Sequence, residues 1–179
     1  MSKKYLAAAA VAALLFLSLP ADAKKTDLLR FDKGETTNDH NGCEVSISNE
    51  YPSKDGGVSL KVTVNADSFY VAETPPKRGV WEGYESLNIG LFNPTKRALK
   101  FIFVIKPKSQ VEYNSRMDFS FVAEPGQNNV EIKLAGSKTN GGAPMSYKER
   151  IAIWSLDAPL KKGECFYLQY LTLDSAEEK

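Results

Sequence analysis

The sequence predicts an all-β protein, a sandwich or barrel of mostly antiparallel strands. Three observations carry this reading. Short runs alternate apolar and polar residues with period two, the signature of strands with one face on a core. No stretch of 11 residues or more keeps the period of an amphipathic helix. Gly, Pro, Asn and Asp, the turn formers, stand between the runs. Eight or more short strands punctuated in this way build a sandwich or barrel.

Leu28–Phe31 is read as the opening strand. Cys43–Asn49 (CEVSISN) places Val45 and Ile47 on one face. Val58–Val64 (VSLKVTV) alternates strictly, with Val58, Leu60, Val62 and Val64 inward and Ser59, Lys61 and Thr63 outward. The link YPSKDGG between them has the composition of a hairpin connection. Leu87–Phe92 (LNIGLF) aligns Leu87, Ile89 and Leu91 before Asn93-Pro94 breaks the run. Ala98–Ile105 (ALKFIFVI) is apolar on both faces, as a central strand is, so Ile102 and Val104 need a cover. Met117–Val122 (MDFSFV) and Val130–Leu134 (VEIKL) alternate, with Glu124-Pro125-Gly126 turning the chain between them. Ile151–Leu156 (IAIWSL) and Phe166–Leu173 (FYLQYLTL) close the series. Lys33–Gly42, Ala66–Ser86 and Gly136–Arg150 are read as long connections, either tolerated insertions or binding loops.

Residues 1–23, MSKKYLAAAAVAALLFLSLPADA, have the make-up of a secretory signal peptide. Lys3 and Lys4 supply the positive start, and Ala21-Asp22-Ala23 a small-x-small cleavage site. The apolar stretch from Ala7 to Leu19 is 13 residues, too short for a bilayer span. No cysteine follows it to carry a lipid anchor. The exported product, periplasmic or secreted, is expected to be one domain over 24–179, 156 residues. Its formal net charge is zero, with 21 basic and 21 acidic residues. That balance argues against a nucleic-acid partner or attraction to an anionic membrane. The only cysteines, Cys43 and Cys165, are expected to pair, as two thiols in an exported domain usually do. The closed loop of 122 residues would then add roughly 5 kcal/mol of stability in the chain-entropy account.

Four stretches resemble the galactose-binding-domain-like jelly rolls. They are Trp81-Glu-Gly-Tyr84-Glu-Ser-Leu87 running into Asn93-Pro94; Tyr113-Asn-Ser-Arg116 ahead of the Met117 strand; Glu124-Pro125-Gly126-Gln127-Asn128 with the Val130 strand; and Phe166–Leu173. The resemblance spans roughly 28–174 and is nearest to carbohydrate-binding modules and to accessory domains of bacterial polysaccharide-degrading enzymes. It departs at Gln169, where many relatives carry Asp. The family implies an antiparallel β-sandwich of jelly-roll form that binds glycans or serves as a structural or assembly module beside another exported protein. It also implies a structural Ca²⁺ near the N-terminal strand. Asp32 and Glu35, beside Asp39 and with Asp174, are the oxygen donors in reach.

Sugar rings stack on aromatic faces, and their hydroxyl pairs are met by planar polar groups. Tyr113, Asn114 and Arg116 form one such group, with Arg116 in register with Asp118 and Ser120. The competing reading pairs Arg116 with Asp118 or Glu131. Gln169 is a further polar contact. Trp154 is either a stacking platform or a core residue, and Trp81 and Tyr84 are expected to pack the sandwich edge. Tyr70 and Tyr147 lie in the long connections. Catalysis has weaker support. His40, the only histidine, sits in a polar stretch, and no Gly-x-Ser-x-Gly elbow or phosphate-cradling glycine loop is present. A carboxylate pair for glycoside hydrolysis is always available among 21 acids, and the strand typical of small jelly-roll lyases is missing. The expected function is non-catalytic binding of a polysaccharide. The alternatives are docking onto an exported protein or a small lyase or glycosidase.

Overall fold

The computed structural model describes residues 24–53 and 57–175; the predicted leader lies outside them. Eleven strands are present among the described residues: β1 Lys25–Asp27, β2 Asp39–Asn41, β3 Cys43–Ser48, β4 Ser59–Val64, β5 Tyr70–Glu73, β6 Tyr84–Asn93, β7 Leu99–Lys106, β8 Met117–Ala123, β9 Gly126–Lys133, β10 Ile153–Asp157 and β11 Cys165–Ser175. They form two antiparallel sheets, the jelly-roll sandwich that the alternation predicts. One runs β3-β4-β11-β6-β9, with β1 also on β11; the other runs β2-β5-β10-β7-β8. β4 and β1 share one edge of β11, β4 along Cys165–Leu168 and β1 along Thr172–Asp174, with β6 on the other edge.

The inward faces meet in one core. Leu60, Val62, Leu87, Ile89, Leu91, Phe166 and Leu168 come from the six-stranded sheet, and Phe101, Phe103, Ile105, Trp154 and Leu156 from the other. Phe103 stacks on Trp154 at 5.6 Å between ring centroids, and Phe101 meets Phe166 edge-on at 5.1 Å across the sandwich. Each large side chain buried here contributes about 1.5–3 kcal/mol. Among the described residues no helix is long and apolar enough to cross a membrane.

Three expectations are corrected. Leu28–Phe31 is not a strand, because Leu28, Leu29 and Phe31 are all buried and no alternation survives. The strand is the polar edge segment just before it, Lys25–Asp27. Lys33–Gly42 and Ala66–Ser86 are not only loops, since each contains a strand, β2 and β5. Finally, Cys43 and Cys165 are free thiols rather than a disulfide. Cys43 pairs with Val64 and Cys165 with Thr63, on opposite flanks of β4. Two strand spacings, roughly 9.5 Å, separate them, beyond the roughly 7 Å a disulfide tolerates. Neighbouring register positions also face opposite sides, so Cys43 points into the core and Cys165 outward.

Candidate functional site

The outer face of the five-stranded sheet is a trough. Lys100, Ile102, Val104 and Lys106 of β7 lie between Asp118, Ser120 and Val122 of β8 and Ser155 and Asp157 of β10. Ala72 and Val104 point outward yet are only 1% and 6% exposed, because longer side chains rise around them. At one end the trough opens into a hollow of about 480 Å³ lined by Asp67, Phe69, Lys100, Ile102 and Asp157.

Arg116 enters the trough from the residue before β8. Its guanidinium grips Asp118 at two points, Nε to Oδ1 at 2.8 Å and Nη2 to Oδ2 at 2.9 Å. The inner atoms of the pair, Nε and Oδ1, are shut off from solvent. The Tyr113 ring lies 5.1 Å from the guanidinium carbon while 60% of the residue stays exposed. The long connection after β9 holds this group in place. Asn140 accepts a hydrogen bond from the Asp118 amide at 3.0 Å and donates to the Tyr113 carbonyl at 3.1 Å. The Gly141 amide donates to the Asn114 carbonyl at 2.9 Å. Burial pushes the Asp157 carboxyl up, helped by Asp118 and opposed by Arg116. Planar donors, acceptors and an exposed ring therefore stand together on one sheet face.

The outer face of the six-stranded sheet is built differently. A register shift between Leu168 and Tyr170 turns both Gln169 and Tyr170 outward. Gln169 is buried and fully engaged: its amide donates to the carbonyls of Tyr51 at 3.0 Å and Pro52 at 2.8 Å and accepts from Gln127. Tyr51 stacks on Phe92 at 3.8 Å and meets Tyr167 edge-on at 4.9 Å. The Tyr167 hydroxyl donates to Glu50, which also takes Lys61 at 3.0 Å. Burial and the Glu50 carboxylate hold the Tyr167 phenol up, and its hydrogen bond holds Glu50 down. The Tyr170 ring lies flat over Gly90, where a Cβ would stand 2.1 Å from its Cε1, so only glycine fits beneath it.

Of the residues singled out in the sequence, Tyr113 and Arg116 come together beside Asn114, and Arg116 pairs with Asp118, as the competing reading expects. Trp154 does not join them: it is fully buried and faces the core beneath the trough, because it sits at an inward register position opposite Ile105. Gln169 belongs to the opposite face. Trp81 packs the core, and Tyr84 bonds Thr26 at the sandwich edge. Tyr147 stacks on Trp81, and Tyr70 bonds Asp39. His40 is exposed on β2.

The calcium donors are not brought together. Both Glu35 oxygens are held by Arg78, at 2.9 and 3.2 Å, and one also accepts the Arg30 amide at 2.7 Å. Asp32 contacts Lys33 at 3.4 Å, and Asp174 bonds Asn88 at 3.1 Å. Among the described residues no three His, Cys, Asp or Glu side chains gather to hold a metal. Glu35, one of the three carboxylates, is already neutralised by the Arg78 guanidinium. Sequence reasoning missed Asp157, Tyr51 and Tyr170. Asp157 ends β10, next to a Pro-containing turn, and nothing in its local pattern marks it as facing Arg116.

No family model matches the chain, and no curated protein does. Solved structures do. The family 11 carbohydrate-binding module CtCBM11 superposes with a TM-score of 0.62 at 16% identity, over 89% of this chain and 100% of that one. The family 11 module of Clostridium thermocellum in complex with a β-1,3-1,4-mixed-linked tetrasaccharide gives 0.56 at 16% identity, over 88% and 98%. An exo-β-agarase gives 0.66 at 13% identity, over 86% of this chain and a quarter of that one. At these identities the likeness is one of fold, a jelly roll of the carbohydrate-binding-module kind.

Proposed function

We propose that this is an exported, non-catalytic carbohydrate-binding protein that holds a polysaccharide along the outer trough of the five-stranded sheet. One observation carries the reading: the two-point Arg116–Asp118 pair stands in the trough, backed by the exposed Tyr113 ring. A guanidinium and a carboxylate locked in a plane present donors and acceptors at fixed spacing, which is what adjacent sugar hydroxyls need. Tyr113 supplies a C–H stacking surface, and Asp157 and Lys100 line the hollow where the chain would continue. The likeness of fold to modules solved with oligosaccharides supports the same reading. A single site of this kind binds weakly, with Kd of roughly 10 µM to 1 mM, or about −4 to −7 kcal/mol.

Retention in native gels cast with neutral and acidic polysaccharides tests the proposal. Wild type is expected to be retarded by at least one glycan, equally with calcium and with chelator. Arg116→Ala should lose that retardation while its urea midpoint moves by less than about 1 kcal/mol. Unfolding of Arg116→Ala would make the pair structural and sink the site assignment.

A further inference from the structure

Where β1 and β4 part along one edge of β11, the outer face of the six-stranded sheet opens into a second cleft, of about 500 Å³. Gln169, Tyr170 and Thr172 of β11 and Asn129 of β9 line it; the segment Lys25–Asp32 flanks one side, and Ser53, Gly57 and Val58 the other. Thr172 is 1% exposed, and its Oγ1 has no hydrogen-bond partner. An unpaired buried hydroxyl is disfavoured, and native structures satisfy nearly all such groups with protein, water or ligand. Beside it the Tyr170 ring is pinned flat by Gly90, and its hydroxyl donates to Asn129 at 2.8 Å. The flanking charges cancel, Lys25 and Arg30 against Asp27 and Asp32.

We propose that this cleft is a second saccharide site, on the face opposite the trough, taking one or two sugar rings of a neutral glycan. The unpaired Thr172 hydroxyl meets a sugar hydroxyl, and the fixed Tyr170 ring gives it an apolar edge. The volume lies within the roughly 300–1,000 Å³ of small-molecule pockets, and the balanced rim gives an anion no advantage. The ligand class rests on the carbohydrate reading above; the existence of the site rests on the cleft itself. With sites on both faces one molecule can hold two glycan chains, and retention by a dense polysaccharide then exceeds either single affinity.

Amide NMR titration of the protein with galactose, cellobiose and the β-1,3-1,4-mixed-linked tetrasaccharide separates the two sites. At least one sugar should shift the amides of Asn129, Tyr170 and Thr172, and the shifts should persist in Arg116→Ala. Thr172→Val, which keeps the shape and removes the hydroxyl, should raise the Kd read at these amides about fivefold and leave that read at Asp118 and Asp157 unchanged. Silence at the cleft amides with every sugar overturns the second site, as does loss of their shifts in Arg116→Ala. Shifts at the cleft with silence in the trough support this inference and overturn the trough as the binding face.

Discussion

The two outer faces use the same materials to opposite ends. On the six-stranded sheet, aromatic and amide groups are spent on one another: Tyr51 on Phe92 and Tyr167, Gln169 on Gln127 and the Tyr51–Pro52 backbone. These contacts join residues more than 40 positions apart and hold a loop against the sheet. On the five-stranded sheet, Arg116 and Asp118 are two residues apart, and Tyr113 three before Arg116. A pair so close in sequence ties down little that the chain has not already fixed, so its geometry is available to a ligand. Compare Arg78–Glu35, an equally two-pointed pair whose members are 43 positions apart and which also reaches the Leu28 carbonyl. Similar chemistry closes the fold in one place and decorates it in the other.

The strongest way to break this contrast is through the trough's underside. Trp154→Ala empties the core beneath β10, and we expect a loss of about 3–5 kcal/mol in urea unfolding. Tyr113→Ala, in the trough, should cost no more than about 0.5 kcal/mol while weakening glycan retention. Were Trp154→Ala to stay near wild-type stability and lose only binding, the inward register of β10 would be wrong.

That register also shows what the sequence reveals and where it stops. Alternation located eight strands, and Tyr113 and Asn140 lie in connections between them. β5 escaped because its inward positions are Val71 and Glu73, a carboxyl fully buried next to Trp154, so no apolar period survives. β2 is Asp-His-Asn and carries no period at all. β9 begins at Gly126 rather than Val130, since Gln127, Asn128 and Asn129 look like a turn and in fact continue the ladder. The local cluster of Tyr113, Asn114 and Arg116 was legible because it is contiguous. The cleft at Thr172 was not, because four distant stretches build it: Lys25–Asp32, β9, β11 and the residues just before β4.

An effect of intermediate size comes from the fold-closing pair. Hydrogen bonding to Arg78 dominates at Glu35, against some burial cost, and brings its carboxyl down to about 2 from an ordinary 4.5. A depressed carboxylate stabilises the fold above its unfolded value, and that stability is lost as pH falls from about 4.5 toward 2. Comparing urea midpoints at pH 6 and pH 3, wild type should lose about 1 kcal/mol more than Glu35→Gln, allowing for screening of a partly exposed pair. Arg116→Ala should leave that acid limb as steep as in wild type. Equal acid limbs in wild type and Glu35→Gln would mean that the Arg78 pair is as incidental to the fold as the trough's.

The smallest effect separates the two sides of the six-stranded sheet itself. Cys43 is buried on the inner side, and burial pushes its thiol up to about 11; Cys165 is half-buried on the outer side, near the Tyr167 hydroxyl at 3.9 Å. Thiolate fraction and access set the rate of thiol reactions, and burial denies Cys43 both. Ellman's reagent should therefore titrate one thiol in the folded protein and the second only after denaturant is added. A reductant should move the unfolding midpoint by less than about 0.5 kcal/mol, where a bridge closing this loop would make the shift nearer 5 kcal/mol. Two thiols silent even in denaturant would mean that they are bridged. The pairing of β3, β4 and β11 would then have to be redrawn, and with it the edge along which β1 and β4 part.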